Sequence, residues 1–387
     1  MTPLALSWTP LRGASHAIAL DVLINGPLSR AELARRQDLS AGSLTRLAGP
    51  LVDAGLLVEV EPRNAKTRKG DTRLGRPQRP LDVVPDSHHF VGIKLTGDAA
   101  HGVLTTLRAE VVASEIVPLS DHDPGEVCRV ITELVSRLAS CVPKVTAVGI
   151  SIGGQVADHA TVTAAPFLQW ADVPLRTMVE DATGLPTVVD NDLAALTEAE
   201  HWFGAGRGLD RFAVLTVGAG VGYGLVVRGH LVTGDDAGLG LVGHMPLAAT
   251  GPMCADGHTG CATAMLTMPS IAAAASVALL RHVGFDEVLD LAEAGDPAAR
   301  RIVADAGHAL GRLIALVGNF TMPERVVLAG EGVRLVDVAR TEIDEALAAD
   351  RDPRASNLRL EVRPGSFIQW ARGAAVMAIQ TYVLGAG

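Results

Sequence analysis

Cysteine and aromatic residues are both scarce in this sequence. Its 387 residues include four cysteines, and aromatic residues make up 3% of the chain. Four cysteines in so long a chain do not suggest a disulfide framework, and the N-terminal stretch MTPLALSWTPLRGASH lacks the basic and apolar blocks of a signal peptide. These absences argue against a secreted, disulfide-bonded protein and predict a reducing, cytoplasmic environment.

The sequence also lacks an uninterrupted hydrophobic run that would suit a membrane span. The longest uncharged segment, residues 259–280, is interrupted by Pro269 and diluted by Thr263, Thr267 and several alanines. We therefore expect it to form a buried helix that follows a loop. With 48% hydrophobic and 20% charged residues, the composition is that of a globular protein with two or three domains.

Charge is distributed unevenly along the chain. Residues 1–85 contain 12 Lys and Arg against 8 Asp and Glu, whereas residues 86–387 contain 21 against 35. An acidic body repels polyanions, so any contact with nucleic acid is expected to belong to the basic N-terminal part.

The N-terminal part has the pattern of three short helices followed by a hairpin. Ser29 and Ser40 are placed to cap the second and third helices. In a helix-turn-helix, small polar side chains near the start of the second paired helix reach the edges of the bases. The pattern therefore predicts that Ser43, Thr45 and Arg46 contact DNA, although a three-helix bundle used for protein contacts has the same pattern.

A basic segment follows the predicted helix-turn-helix. Between Arg63 and Arg79 there are seven Lys and Arg and one acidic residue, flanked by the strand-like runs LLVEV and LDVV. This arrangement is typical of the wing of a winged helix, whose basic tip contacts phosphates or the minor groove. Arg73 and Arg76 are the expected contacts, and a solvated charged loop is the alternative. Double-stranded DNA is thus the expected partner of residues 1–85.

From about residue 88 the pattern changes to two similar halves, each a strand meander followed by alternating helices and strands. Such a repeat predicts a bilobed α/β body with a cleft between the lobes. We place the body at residues 86–387, lobe one at about 88–200 plus the C-terminal helix, and lobe two at about 201–370. The alternating glycines at residues 218–224 lie inside a hairpin and do not fit a dinucleotide loop; close approach to a ligand and tight twist explain them equally well.

Several motifs together resemble the ROK family (repressor, open reading frame, kinase) over essentially the whole chain. They are the helix-turn-helix, VDNDLAALTEAEHWFGAGRG, LTVGAGVGYGLVVRGHLVTGDDAGLGLVGHMPL, GPMCADGHTGC and LAGEG. The resemblance implies an actin-like, duplicated ribonuclease-H-like fold and a cytoplasmic homo-oligomer, either a homodimer or a homotetramer. It further implies sugar phosphorylation or sugar-responsive transcriptional control.

The first-lobe loop differs from that of the family's kinases. Those kinases carry an Asp-x-Gly-Gly-Thr loop for ATP phosphates and Mg²⁺, whereas the matching stretch here is IKLTGDA. Lys94 stands in place of the acid, Thr96 in place of a glycine and Asp98 in place of the threonine. A cation at the acid's position discourages Mg²⁺, so no catalytic residues and no ATP turnover are expected.

The sugar site implied by the resemblance is only partly present. Asn191 and Asp192 match the pair that holds a sugar hydroxyl, His244 also matches, and Gly153 and Gly154 follow the buried strand VTAVGISIGG. Asp192 has an alternative role as a helix N-cap.

Three polar contacts of the family's sugar site are replaced here. Phe167 stands where the family has an asparagine, and Leu241 and Thr263 each replace a glutamate. A buried hydroxyl without a partner costs about 1 to 3 kcal/mol, so binding of an aldohexose should be weakened. The effector is then a differently shaped or less polar sugar or sugar phosphate, or the cleft is not a sensor.

The stretch GHMPLAATGPMCADGHTGC resembles the family's structural zinc loop. His244, Cys254 and Cys261 match its ligands, and Asp256 occupies the position of the middle cysteine. Aspartate can bind zinc and His258 is another candidate, so a tetrahedral zinc site is expected at reduced affinity. A reduced, metal-free cysteine pair is the alternative.

These observations together predict a ROK-type transcriptional regulator, most simply a repressor, that binds an operator with inverted half-sites. The rivals are a sugar kinase with an added DNA-binding domain and a regulator that is controlled by a protein partner. No contact with a membrane is expected.

Overall fold

The computed structural model describes residues 11–61 and 79–385. Its N-terminal head consists of helices α1 (Gly13–Asn25), α2 (Arg30–Arg36) and α3 (Ala41–Asp53) and the antiparallel strands β1 (Leu57–Glu59) and β2 (Leu81–Val83). The Ser29 hydroxyl accepts a hydrogen bond from the Glu32 amide, and the Ser40 hydroxyl accepts one from the Ser43 amide. Both predicted caps are present. Residues 37–40 form the short turn between α2 and α3.

Lobe one is built on a five-stranded sheet. Its elements are β3 (His89–Leu95), β4 (Ala99–Thr106), β5 (Val111–Pro118), α4 (Pro124–Ala139), β6 (Ala147–Ile152), β7 (Gln155–Ala157), β8 (Thr161–Ala165), β9 (Trp170–Val173), α5 (Leu175–Thr183), β10 (Thr187–Asn191) and α6 (Asp192–Phe203). The strand order is β10-β6-β3-β4-β5, with β3, β6 and β10 parallel and β4 and β5 antiparallel to their neighbours. Strands β7 to β9 form a small separate sheet.

Lobe two repeats the architecture of lobe one. Its elements are β11 (Arg211–Val217), β12 (Val221–Val227), β13 (His230–Leu231), α7 (Ala262–Leu266), α8 (Met268–Leu279), α9 (Phe285–Glu293), α10 (Pro297–Thr321), β14 (Arg325–Ala329), α11 (Leu335–Val338), α12 (Arg340–Ala349) and β15 (Leu360–Val362). The order β13-β12-β11-β14-β15, read from β13, has two antiparallel and then two parallel pairings. The sheet of lobe one has the same pairings when it is read from β5. The predicted duplicated, actin-like α/β fold is therefore confirmed.

The last helix, α13 (Phe367–Leu384), returns to lobe one and packs on β3, β6 and α6. Glycines allow this close approach, because an added Cβ at Gly92 would overlap the Ala371 carbonyl oxygen and one at Gly149 would overlap that of Ala374. Further along α13, Ala375 and Val383 belong to a hydrophobic cluster that also contains residues of α1, α3, β1 and β2. The helix thus joins the lobe-one sheet to the head.

Two sequence expectations need correction. Residues 259–280 form two helices and not one, because Thr267 ends α7 and caps α8, with Pro269 in the first turn of α8. Helix α8 is also only partly buried, since Val277 is 76% exposed. Within the described ranges, no helix combines the length and apolarity that a membrane span requires.

Candidate functional site

A cavity of about 900 Å³ lies between the two lobes. Lobe one contributes the β3–β4 turn, the end of β6 and the start of α6; lobe two contributes the β11–β12 turn, residues 236–242 and Glu331. The first turn of α13 adds Phe367 and Trp370. Because the carboxyl ends of the central parallel strands meet here, the cleft is the expected place for a ligand in this architecture.

An ion pair occupies the centre of the cleft. The Lys94 ammonium group donates a hydrogen bond to Oδ2 of Asp192, and the two side chains are 7% and 17% exposed. The ammonium group also lies 5.5 Å from the centre of the Trp370 ring, within the range of a cation–π contact. The carboxylate that the resemblance assigns to a sugar hydroxyl is therefore already paired with a cation of the protein itself.

Asn191, and not Asp192, caps helix α6. Its side-chain oxygen accepts hydrogen bonds from the amides of Leu193 and Ala194, and its Nδ2 donates to the Gly154 carbonyl oxygen at 2.8 Å. Asp192 is the first residue of the helix; its Oδ1 accepts a hydrogen bond from the Leu193 amide at 2.8 Å, and its Oδ2 accepts one from Lys94. The alternative interpretation of Asp192 as the N-cap was wrong.

Gly153 and Gly154 both line the cavity. Gly154 has φ +154, and an added Cβ would overlap the Ala164 carbonyl oxygen, so this position requires glycine. An added Cβ at Gly153 would lie 3.4 Å from Asp192 Oδ2 and 3.5 Å from Phe167 Cδ2. The Asp192 carboxylate and the Phe167 ring therefore adjoin the same point of the cleft.

The replaced sugar contacts leave apolar side chains in the cleft. Phe167 is 58% exposed and Leu241 60% exposed, and both line the cavity from different lobes. Thr263 instead lies behind Gly243, where its hydroxyl oxygen is 2.6 Å from the position of an added Cβ. The cleft wall is consequently less polar than the resemblance implies.

Glu331 is a cleft residue that sequence reasoning missed. Burial raises the pKa of its carboxyl, while the charge of Lys94 lowers it. An added Cβ at Gly218 would overlap Glu331 Oε2, so this carboxylate fills the space beside the glycine turn. The acid inside LAGEG was visible in the sequence, but its position against a turn more than a hundred residues away was not.

The metal candidates come together in lobe two. One ligand atom each from His244, Cys254 and Cys261 lies within 4.8 Å of the others. Burial would raise the pKa of the Cys254 thiol, but hydrogen bonds from the backbone of His258 and Asp256 lower it to about 6. A cysteine that ionises near neutral pH is suited to bind a cation.

His258 lies closer to His244 than the predicted ligand Asp256 does. Its Nδ1 lies 3.1 Å from His244 Nδ1 and 3.6 Å from Cys254 Sγ. Neighbouring nitrogen and sulfur ligands of a tetrahedral zinc are about 3.3 to 3.8 Å apart. Asp256 instead faces the other ring nitrogen of His244, with Oδ2 3.6 Å from Nε2.

His244 was also predicted to contact a cleft ligand. Its ring faces Cys254 and His258, and it is not among the residues that line the cavity. Its role towards a ligand therefore stays a prediction.

The predicted DNA contacts are on the exposed side of α3. Thr45 and Arg46 are exposed and Ser43 is half-buried. The Thr45 hydroxyl donates to the Ala41 carbonyl oxygen, whereas Arg46 forms no ion pair with any residue in the described part of the chain. Arg73 and Arg76 lie outside the described residues, so their role also stays a prediction.

Comparison with known proteins connects the body of the chain to one family. The model of the ROK family matches residues 90–380. The chain is 25% identical to the DNA-binding transcriptional repressor Mlc of Escherichia coli (strain K12) over 86% of this chain and 84% of that protein. It is 26% identical to the N-acetylglucosamine repressor of Escherichia coli O6:H1, over 79% of this chain and 77% of that protein.

Solved structures extend the similarity to the whole described fold. A crystal structure of a ROK family transcriptional regulator, a homologue of the Escherichia coli Mlc protein, superimposes with a TM-score of 0.77 at 24% identity, covering 95% of this chain and 98% of that chain. ROK family sugar kinases are also similar in fold, over the smaller share of 74% of this chain for two of them.

Proposed function

The chain belongs to the ROK family, and from that premise we propose that it is a transcriptional regulator, most simply a repressor. In this proposal residues 1–85 bind operator DNA, and the cleft of residues 86–387 binds a sugar or a sugar-derived effector. Its curated relatives include named DNA-binding repressors, one of them named for N-acetylglucosamine. Lobe one is taken as residues 88–200 with the C-terminal helix, and lobe two as residues 201–370.

The observation that carries the proposal is a head of three helices and two antiparallel strands that shares a hydrophobic cluster with lobe one, one of the two lobes that line the cleft. Arg108, in the turn after β4, donates hydrogen bonds to the carbonyl oxygens of Val22 and Gly26 and to the Asp82 carboxylate. The His16 ring bonds to the Val383 carbonyl oxygen at 2.8 Å. In this proposal a movement of lobe one is transmitted to α1 and β2 through these contacts.

Each predicted DNA contact has a distinct role in this proposal. Ser43, Thr45 and Arg46 read base edges from the major groove, where an arginine pairs with guanine through two hydrogen bonds. Arg73 and Arg76 hold phosphates from the wing and set affinity more than sequence preference. A homodimer or homotetramer places two heads on inverted half-sites.

The residues of the cleft do not support the sugar-kinase alternative. Phosphoryl transfer requires a carboxylate free to accept the proton of the substrate hydroxyl, and Asp192 is paired with Lys94. The Glu331 carboxylate beside Gly218 also repels a nucleotide phosphate from the second turn. We therefore propose that the chain has no catalytic residues.

Selection of DNA by the full chain tests this function. From a random duplex library, the chain should enrich a sequence with two inverted half-sites, with an affinity that falls steeply as salt increases. Arg46→Ala should weaken binding to that sequence about tenfold or more, whereas Arg76→Ala should weaken binding to all duplexes evenly. The exposed Arg354→Ala is the matched charge control. Absence of enrichment by the unmodified chain would contradict the function.

We further propose that the histidine and cysteine cluster binds one structural zinc ion. His244, Cys254 and Cys261 supply three ligands, and either Asp256 or His258 supplies the fourth. The geometry favours His258, because it adjoins the same nitrogen of His244 that faces Cys254. When bound, the ion would crosslink residues 244–261, and this would stabilise the loop without taking part in chemistry.

Elemental analysis of desalted protein tests the zinc proposal. The unmodified chain should hold about one zinc, and Cys254→Ser should lower both the zinc content and the thermal midpoint. His258→Ala and Asp256→Ala then form a matched pair, of which His258→Ala should lose more metal. Asp256→Cys should tighten binding, because a thiolate is a softer zinc ligand than a carboxylate. Protein without zinc that gains no stability on zinc addition would show that packing alone holds this loop.

A further inference from the structure

The subsite around Asp192 is filled by side chains of the protein. Lys94 pairs with the carboxylate, and the Phe167 ring adjoins it across Gly153. A ligand hydroxyl that approaches Asp192 must compete with the Lys94 ammonium group for Oδ2 and with the Leu193 amide for Oδ1. Tight binding of a small free sugar, which depends on many such hydroxyl contacts, is therefore disfavoured at this point of the cleft.

The rest of the cavity offers two different kinds of surface. Phe167 and Leu241, which are 58% and 60% exposed, line it from opposite lobes, and Val242, Met268 and Pro269 continue the apolar wall. Large apolar side chains exposed in a concave site gain free energy when an apolar group of a ligand covers them. At about 900 Å³, the cavity lies near the upper end of the range of about 300 to 1,000 Å³ for drug-sized ligands.

The polar part of the cavity is acidic. Asp98, Asp236 and Glu331 line it in addition to Asp192. Among the lining residues from the described part of the chain, the single cation is Lys94, which is already paired. Carboxylates accept hydrogen bonds from hydroxyl groups and repel phosphates and other anions. The charge therefore favours a neutral polyol over a sugar phosphate.

From these three observations, and resting on the proposed function as a sugar-responsive regulator, we propose that the cleft ligand is an uncharged glycoside with an apolar aglycone. Its sugar hydroxyls donate to Asp98, Asp236 and Glu331. Its aglycone covers Phe167 and Leu241. The aglycone supplies the contact that replaces the lost polar contacts of the sugar site.

Matched probes test the ligand class on the full chain. Phenyl β-glycosides of glucose, galactose, xylose and N-acetylglucosamine are compared with the same free sugars, with the 6-phosphates of the three hexoses, and with phenol. At least one phenyl glycoside should raise the thermal midpoint and bind about tenfold or more tightly than its free sugar, its phosphate and phenol by titration calorimetry. Phe167→Asn and Leu241→Asn should each weaken that binding several-fold, while Val277→Asn, at an exposed apolar position that does not line the cavity, should leave it unchanged.

Each other outcome overturns the inference. Binding of a free sugar or a sugar phosphate at least as tightly as the matching glycoside would exclude an apolar aglycone as the determinant. Binding of phenol alone with equal affinity would exclude a glycoside, and no binding by any probe would count against the class as a whole. DNA binding measured on the same preparation separates the two proposals, because DNA binding without glycoside binding refutes only the ligand class.

Discussion

The two lobes build the same hairpin at the same place in their sheets, but the two turns differ in chemistry. In lobe one the β3–β4 turn spans residues 96–98 and is preceded by Lys94; in lobe two the β11–β12 turn spans residues 218–220 and consists of small residues. Both turns line the same cavity. The duplicated fold fixes where the turns meet the cleft, and their residues decide which charge faces a ligand.

A charged side chain of the protein also lies beside each of the two turns. In lobe one the Lys94 ammonium group pairs with Asp192, and in lobe two the Glu331 carboxylate packs beside Gly218. A cation thus lies where the family's kinases hold a metal-binding acid, and an anion lies beside the glycine turn. The same architecture can therefore bind a ligand in one protein and oppose phosphoryl transfer in another.

The largest expected effect comes from the packing of α13, which covers the sheet of lobe one. Gly149→Ala places a methyl group on the Ala374 carbonyl oxygen, and because that atom belongs to the backbone of α13, the helix must move. We expect a loss of about 3 kcal/mol in the free energy of unfolding, measured in urea.

Gly49→Ala is the matched control, because an added Cβ there meets no atom within 4 Å. This substitution in helix α3 should leave stability unchanged or raise it by up to about 1 kcal/mol. Equal effects of the two substitutions would contradict the close approach of α13 to β6.

The next largest effect concerns the ion pair of lobe one. Lys94→Met leaves the Asp192 carboxylate in the cleft without its cation, and we expect a loss of about 2 kcal/mol, below the value for fully buried pairs because Asp192 is 17% exposed. Adding Asp192→Asn should restore part of that stability. The exposed pair of Arg354 and Asp352 is the control, and Arg354→Met should leave the free energy of unfolding nearly unchanged.

The smallest effect concerns the carboxylate of lobe two. Burial raises the pKa of Glu331 above its ordinary value of 4.5, so the folded state holds the proton more tightly than the unfolded state. The stability that this carboxyl contributes to the folded state is fully present below pH 4.5 and is lost as pH rises through the raised pKa. At pH values above the raised pKa, Glu331→Gln should therefore increase the free energy of unfolding by less than about 1 kcal/mol. In acid the substitution should change the free energy of unfolding little. A difference that grows as pH falls would contradict the burial of this carboxylate.

Local features of this fold could be predicted from the sequence, whereas the contents of the cleft could not. Ser29, Ser40 and Asp123 cap helices by accepting hydrogen bonds from amides two or three residues away. Each capping residue and its partner therefore lie in one short stretch of sequence, where the pattern can be recognised. The break at Thr267 carries the same kind of signal, a capping residue two positions before Pro269.

The central contacts join distant parts of the chain. Lys94 and Asp192 are 98 residues apart, and they meet because β3 and β10 both pair with β6, which brings their carboxyl ends to one edge of the sheet. The substitutions at Lys94 and Phe167 were visible in the sequence, but their joint closure of the Asp192 subsite requires this strand order. For the same reason the proximity of Glu331 to Gly218 depends on the pairing of β11 with β14.

The most direct test of the contrast between the lobes is a measurement of phosphate transfer by protein that is active in DNA binding. The preparation is given Mg-ATP with hexoses and N-acetylhexosamines, and ADP formation is followed in a coupled assay. Lys94 is paired with the Asp192 carboxylate, and the Glu331 carboxylate repels the phosphates of ATP. The account therefore predicts no turnover above the rate without protein. Turnover that depends on the sugar and disappears with Asp192→Asn would contradict it, because it would show that Asp192 is available as a base.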